Sequence, residues 1–325
     1  ECGVAEDDLT ALPFEALLLR DYISASRLAR QVSDSPAAVA IVTADDIRAY
    51  GYRTLADVIN SMRGLYITDE RRYQYMGGRS FGDVEDYAGR VMLLIDGYAV
   101  QDNLFDQAYI DESGLIELEL VERVEYVPGT GSVTYGNNAL LGIINVVTRR
   151  GRDFDGARVS AEVSSRSASR QRATWGKRFE NGAEMLLSAS ALDIDGRNLY
   201  FPAYDTPQTN FGVAEGLDGE RNERVFGKLS WSGWTVQGAW VERRRNVPTN
   251  PSKLTAFNTP FPTTDETGFL AVRYETDLGL QLYSTSSLML GRYAYWNQRE
   301  YAKNADGEYD DGEKYGVRDF TGEWW

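Results

Sequence analysis

The chain has 325 residues, with 34 Lys plus Arg against 49 Asp plus Glu, a formal charge of −15. That length suits two domains, or one domain and part of another, and the acidity argues against a protein that tracks nucleic-acid phosphates. With no His and one cysteine, Cys2, the Ser-His-Asp hydrolases, imidazole-bound zinc and any intrachain disulfide are excluded.

Residues 1–150 mix short helices and strands. Thr10 is placed to cap a helix through Phe14 to Leu19. Ala38–Val42 reads as a strand, Thr43 as the cap of a helix over Ala44–Arg48, and Gly51 as its stop. Thr54 opens a second helix, with Asp57 as the capping-box acid and Gly64 as the expected end. Val91–Ile95 reads as a buried strand, and Asp96-Gly97 as a hairpin turn into Tyr98–Val100. Ser113–Leu120 is expected to be helical, Arg123–Val127 a strand, and Ile143–Thr148 the closing strand. The whole is an α+β domain.

After Gly151 the period becomes two. Ala157, Val159, Ala161 and Val163 alternate with polar residues, and so do Val225, Gly227, Leu229 and Trp231. About eight strands are expected by this pattern. Three tight connections, at Asn181, Gly233 and Gly279, alternate with three long ones, 194–222, 244–267 and 297–315. An outer-membrane barrel places its long loops at one end in this way; a soluble sandwich has no reason to. The 20 Tyr and 7 Trp suit membrane interfaces, and Trp231 and Trp234 straddle one tight turn where an aromatic girdle would lie. The longest apolar runs fall far short of the ~20 residues of a spanning helix. Eight strands close too small a barrel to hold a domain, whereas plugged transporters have about 22 strands, so the eight are expected to be the front of a larger barrel. The last residues, Glu323-Trp324-Trp325, fall in mid-strand, which agrees with that expectation.

Several motifs point weakly to other chemistry. Pro128-Gly129-Thr130-Gly131-Ser132 lacks the lysine of a phosphate-cradling loop and reads as a tight turn. Glu122 and Glu125, three apart in a strand, face opposite ways and do not form a catalytic pair. Arg243-Arg244-Arg245 beside a long loop is solvated or ligand-facing. The acid-rich stretch 304–313 is either a solvated loop or a partial match to a calcium loop. No catalytic residue, resident metal or cofactor is expected.

A set of motifs in the first half resembles the plug domain of TonB-dependent outer-membrane receptors. It runs from Ser35-Pro36-Ala37-Ala38-Val39 through Thr54-Leu55-Ala56-Asp57-Val58 and Arg90-Val91-Met92-Leu93-Leu94-Ile95-Asp96-Gly97. It continues through Val121-Glu122-Arg123-Val124-Glu125-Tyr126-Val127-Pro128-Gly129 to Tyr135-Gly136-Asn137-Asn138-Ala139-Leu140-Leu141-Gly142 and Thr148. Arg63-Gly64, Arg79-Ser80 and the Pro128–Gly131 turn depart from the usual family pattern. The resemblance implies a leader at 1–34, a plug at 35–150 and the N-terminal part of a β-barrel at 151–325. Its plug-motif positions are Arg79, Arg90, Asp96, Gly97, Glu122, Glu125, Gly136 and Gly142.

The function implied is active import of a scarce nutrient across the bacterial outer membrane, first a ferric siderophore or related iron complex, second cobalamin. The implied partners are outer-membrane lipid, the nutrient chelate, and TonB with its inner-membrane energising complex. TonB would add a strand along Asp21, Tyr22, Ile23, Ser24, Ala25 and Ser26. The plug loops expected to meet ligand carry Arg71, Arg72, Tyr73, Tyr75, Asn103, Phe105 and Tyr109. The arginines would neutralise an anion and the rings would offer stacking area. Absence of His weakens haem as cargo. A soluble β-rich carbohydrate-binding module is the rival reading, and a detergent requirement separates the two. A receptor used mainly for signalling is a third. On the barrel reading, epitope tags in the three long connections should be reached by antibody on intact cells. Tags at Asn181 or Gly233 should be hidden until the outer membrane is broken, and the reverse pattern overturns the topology.

Overall fold

The computed structural model describes residues 21–23, 29–31, 39–79, 81–83, 86, 89–129, 131, 135–165, 168–248, 257–279, 282–301, 308 and 314–325. Ser24, Ala25 and Ser26, the helix expected from Thr10, the boundary at Ser35, Ser80 and all of 304–313 but Glu308 lie outside the described residues. The chain divides into two compact units, Glu1–Glu70 with Gln74–Arg149, and Arg71–Tyr73 with Arg150–Trp325.

In the first unit, β1 (Asp21–Ile23) pairs antiparallel with β2 (Ala29–Gln31). Next come β3 (Ala40–Thr43) and the helix Ala44–Tyr50. The Thr43 hydroxyl accepts from the Asp46 amide, the Asp46 carboxylate accepts from the Thr43 amide at 2.9 Å, and Gly51 closes the helix in the left-handed region. The same box at Thr54 and Asp57 starts the helix Leu55–Ser61, which buries Ala56, Val58 and Ile59. This helix stops earlier than expected, because Met62 is already extended. Gly64, at φ 88°, instead makes the turn into β4 (Leu65–Asp69), which forms a hairpin with β5 (Gln74–Gly78).

The main sheet adds β6 (Val91–Ile95), β7 (Tyr98–Ala99), β8 (Val121–Pro128) and β9 (Gly142–Thr148), in the order β3-β8-β9-β6-β7, with β6 and β9 parallel. Every residue of β6 is buried, as its unbroken apolar run requires. The helix expected at Ser113–Leu120 is only a 3-10 turn at Leu118–Leu120. Asp111 explains the difference: its carboxylate accepts from the Ser113 amide and hydroxyl, a local turn that competes with helix.

A polar chain crosses this sheet. Asp96, at φ 49°, accepts from the Thr148 amide at 2.9 Å and hydroxyl at 2.6 Å. Asn145 accepts from the Gly97 amide and donates to buried Glu125. Arg123 then bonds both Glu125 and Glu122, so the two glutamates share one guanidinium, with a register irregularity between Val121 and Arg123. Gly142 is tightly enclosed, since a Cβ there would lie 2.6 Å from the Tyr126 ring. Gly136 holds φ 82°, exposed Arg79 holds φ 50°, and Arg90 pairs with Asp86.

The second unit contains one eight-stranded antiparallel sheet. Its strands are β10 (Gly156–Ser164), β11 (Ala168–Arg178), β12 (Glu184–Ile194), β15 (Glu220–Trp231), β16 (Trp234–Asn246), β17 (Pro262–Gly279), β18 (Leu282–Glu300) and β19 (Tyr315–Trp324), in that order. The small pair β13 (Leu199–Tyr200) and β14 (Val213–Ala214) lies in the connection between β12 and β15. Its two faces are inverted relative to a soluble protein. Val159, Leu187, Val225, Leu229, Leu270, Leu288 and Leu290 are exposed, while Thr174, Ser188, Asn222, Arg224, Gln237, Arg243, Asp265 and Thr267 are buried. Trp231, Trp234 and Tyr274 form one cross-strand row on the exposed face, near the tight turns, with Trp234 and Tyr274 ring centroids 4.5 Å apart.

Because neighbours run antiparallel, the long connections 195–219, 247–261 and 301–314 fall at one end of the sheet. The first connection at that end, 165–167, is short, so the alternation is not strict. Replacing Asp96 with Ala removes both acceptors of Thr148 and should cost ~1–3 kcal/mol. A lowered melting temperature and faster hydrogen exchange at the Thr148 amide would register this, and unchanged exchange would contradict it.

Candidate functional site

The polar side chains concentrate at the long-connection end of the eight-stranded sheet. Period-two alternation places Asn222, Arg243, Asp265 and Tyr295 opposite one another on successive strands, and in the next rung Glu220, Arg245, Thr263 and Asn297. The segment Arg71–Tyr73 belongs to this unit and packs on these rungs. The Tyr73 hydroxyl donates to Asp265 at 2.7 Å, and the Tyr293 hydroxyl donates to the same oxygen at 2.8 Å. Arg243 donates to the Arg72 carbonyl at 2.9 Å and, through Nε, to Glu220 at 2.5 Å. The Arg72 guanidinium sits 4.9 Å from the Tyr73 ring centroid and 5.1 Å from that of Tyr295, whose hydroxyl it bonds.

A second layer of charge surrounds Asp218. Its carboxylate lies 3.2 Å from Arg197, 3.8 Å from Arg245 and 3.9 Å from Arg71, and Arg245 also reaches Glu220 at 3.3 Å. Five guanidiniums (Arg71, Arg72, Arg197, Arg243, Arg245) thus gather with three carboxylates (Asp218, Glu220, Asp265). Among the described residues the cluster thus holds more cations than anions, although the chain's charge is −15. Burial, and then the Asp265 carboxylate, push the Tyr73 hydroxyl well above its ordinary 10.0, so Tyr73 acts as a neutral donor.

The loop following β7 belongs to the first unit and is built around Asp102. Its buried carboxylate accepts from the amides of Leu104 at 2.8 Å, Phe105 at 2.7 Å and Gln107 at 3.1 Å, and from the Tyr109 hydroxyl at 3.2 Å. Burial raises the Asp102 carboxyl above its ordinary 3.8 although these four donors oppose the shift. Asn103, Leu104 and Phe105 stand exposed at the tip.

Of the residues the sequence offered for ligand, Arg71, Arg72 and Tyr73 enter the charged cluster. Asn103 and Phe105 stand on the first unit's exposed tip. Tyr73, Tyr75 and Tyr109 do not present the stacking area expected of them: they are 3%, 4% and 5% exposed. Their hydroxyls are engaged by Asp265, Glu70 and Asp102, which keeps the rings inside. Asp218, Glu220, Asp265, Tyr293 and Tyr295 were not singled out from the sequence. Their signal was a polar residue at every second position where a strand meets a long connection, and Arg243 and Arg245 share that parity.

Comparison with known proteins agrees with this architecture. Residues 31–143 match the family model of the TonB-dependent receptor plug domain. The iron-regulated outer membrane virulence protein of Vibrio cholerae is 28% identical over 138 residues, 39% of this chain and 20% of that protein. The vitamin B12 transporter BtuB of Vibrio vulnificus is 22% identical over 184 residues, 55% of this chain and 29% of that one. Among solved structures, the alcaligin outer membrane receptor FauA of Bordetella pertussis aligns with TM-score 0.59 and 16% identity, over 87% of this chain and 44% of that one. The ferric enterobactin receptor PfeA of Pseudomonas aeruginosa aligns with TM-score 0.58 and 20% identity, over 89% and 45%. The matched regions span less than half the length of each of these proteins.

The Tyr73–Asp265 bond yields a pH signature. An unfolded tyrosine releases its proton as pH passes 10.0, while folded Tyr73 holds its proton to higher pH. Its contribution is whole below that value and is lost as pH rises beyond it. Tyr73→Phe should lower stability by ~1–2 kcal/mol near neutral pH and flatten the alkaline decline. Melting temperatures of both proteins from neutral to strongly alkaline pH check this; superimposable curves would refute it.

Proposed function

Since residues 31–143 match the family model of the TonB-dependent receptor plug domain, we propose that the protein serves active import across the bacterial outer membrane, and that its cargo is an anionic iron complex of the siderophore class. The observation that carries the cargo assignment is the excess of arginine at the long-connection end of the sheet. Five guanidiniums against three carboxylates suit a chelate bearing net negative charge. The inverted faces of the second unit support an embedded barrel wall: apolar side chains meet lipid and polar ones meet the lumen. Residues 1–34 then serve as a periplasmic leader, 35–150 as the plug and 151–325 as the first part of the barrel.

Arg71 and Arg72 supply charge to the cargo, and Asn103 and Phe105 offer a polar and an aromatic group from a preformed tip. Tyr73, Tyr75 and Tyr109 hold their segments in place instead of stacking on cargo. Similarity to the iron-regulated outer membrane protein supports iron. Cobalamin is the second reading, favoured by the match to the vitamin B12 transporter, which covers more of this chain than the iron-regulated relative does.

TonB supplies the energy through strand addition along Asp21–Ser26. The backbone of Asp21–Ile23 is extended and forms a strand with Ala29–Gln31, a conformation that main-chain pairing with a partner needs. Iron-starved cells expressing the protein should accumulate radioactive iron from an anionic ferric chelate only when TonB is present. Ile23→Pro removes one amide donor and restricts Tyr22. The variant should still bind the chelate at the cell surface while accumulation falls to the level of cells lacking TonB. Accumulation equal to wild type would remove this segment as the TonB contact, and accumulation independent of TonB would overturn the transport reading.

A further inference from the structure

The connection 195–219 crosses over itself at its base. A Cβ on Gly196 would lie 1.9 Å from the Gly216 carbonyl oxygen, so the two arms touch backbone to backbone. The Asn198 side chain accepts from the Gly216 amide at 3.0 Å, and the Asn246 amide donates to the Gly219 carbonyl at 2.9 Å, which ties the crossing to the end of β16. This crossing fixes Arg197 on one arm and Asp218 on the other.

Asp218 is poorly served in this setting. Its side chain is 8% exposed and three guanidiniums surround it, yet only Arg197 lies at hydrogen-bonding range. The Oδ1 oxygen is buried and accepts no hydrogen bond. A buried carboxylate oxygen with no donor is costly, and the three cations stand at 3.2, 3.8 and 3.9 Å from this carboxylate, Arg245 being shared with Glu220. Two of the three remain within reach of solvent, since the Arg71 and Arg197 side chains are 43% and 42% exposed.

We propose that Asp218 is a built-in stand-in for a carboxylate-type anionic group of the cargo, and that such a group displaces it from Arg71, Arg197 and Arg245. The proposal rests on the reading of the arginine cluster as a cargo site and adds the device that holds the site in order while empty. The internal carboxylate keeps three cations from repelling one another, and it competes with incoming anion, so affinity is set lower than the arginines alone would give. A cargo with two or more well-placed oxygens gains what the single carboxylate of Asp218 leaves unmade.

The test is the affinity of the purified full chain, in a non-ionic detergent, for citrate as the polycarboxylate probe. Removing a partner normally weakens a site; here Asp218→Asn should strengthen citrate binding about tenfold, as loss of a competitor with ~1.4 kcal/mol of hold would do. Asp218→Glu, which keeps the charge, should show no such gain. Glu215→Gln removes one exposed negative charge from the same connection, a carboxylate bonded to Asn210, and should leave affinity within about twofold of wild type, since exposed charges are strongly screened. Equal or weaker citrate binding by Asp218→Asn, or an equal gain in Glu215→Gln, overturns the proposal. Should Asp218→Asn fail to fold, Arg197→Gln decides: a roughly tenfold loss of citrate affinity supports the site, and no change sinks it. A gain in Asp218→Asn without iron accumulation in cells would leave the anion site standing and fail the transport reading; accumulation without the gain fails the stand-in alone.

Discussion

In hydrocarbon no water is available to an amide or carbonyl, so a strand can lie there only if its neighbours satisfy its backbone. The inner strands of the eight-stranded sheet have an antiparallel neighbour on each side, from Gly156 opposite Gly176 to Gly291 opposite Trp324, with one register irregularity between Asp277 and Gly279. Everything else in the second unit follows from that ladder. Once the backbone is satisfied along the ladder, side-chain parity alone decides which residues are exposed, and the exposed face can carry Val225, Leu229 and Leu270. The same parity forces the intervening residues inward, which is why Asn222, Arg243 and Asp265 stand side by side on neighbouring strands. The charged cluster is a by-product of register before it is anything else.

Such a cluster has to be satisfied. A carboxylate as buried as Asp265, 2% exposed, is tolerated only with donors around it. Tyr73 and Tyr293 provide two, on one oxygen, and the cost of burial is thereby tied to the presence of Tyr73. Arg243 does the same in the other sense, since its buried guanidinium spans Glu220 and the carbonyl of Arg72. Breaking a pair as buried as Arg243–Glu220 by removing one partner typically costs ~3–5 kcal/mol. Arg71–Tyr73 is thus held by groups that would be destabilising without it, which fixes the segment more firmly than exposed ion pairs would.

Much of the fold was legible because local rules and tertiary structure agreed. Thr43 with Asp46 and Thr54 with Asp57 are capping boxes in sequence and in space. The run Val91–Ile95 could only be a buried strand, and period-two alternation found all eight strands of the second sheet. The misses lie where a local bond overrode a pattern. Asp111 captured Ser113 and cut a helix to a single turn. The β4–β5 hairpin was hidden because its turn, 70–73, is charged and reads as loop. The site was half legible: Arg71 and Arg72 stood out as adjacent cations in a loop, whereas Asp218, Glu220 and Asp265 are separated from them by well over a hundred residues and meet only through register. Aromatic residues in loops were read as surface for cargo; a hydroxyl beside a buried acid turns such a ring inward, and sequence does not show that acid.

The backbone crossing at Gly196 and Gly216 has a consequence for how this protein can change. Any side chain at Gly196 must push the two arms apart, and with them Arg197 and Asp218 together. The cation and its anion therefore do not drift independently: one nucleotide change at a glycine that itself touches no charge can dismantle the pair in a single step. Lineages would be expected to keep or discard the pair outright, with few intermediate forms, and the residue to watch for such a switch is the glycine.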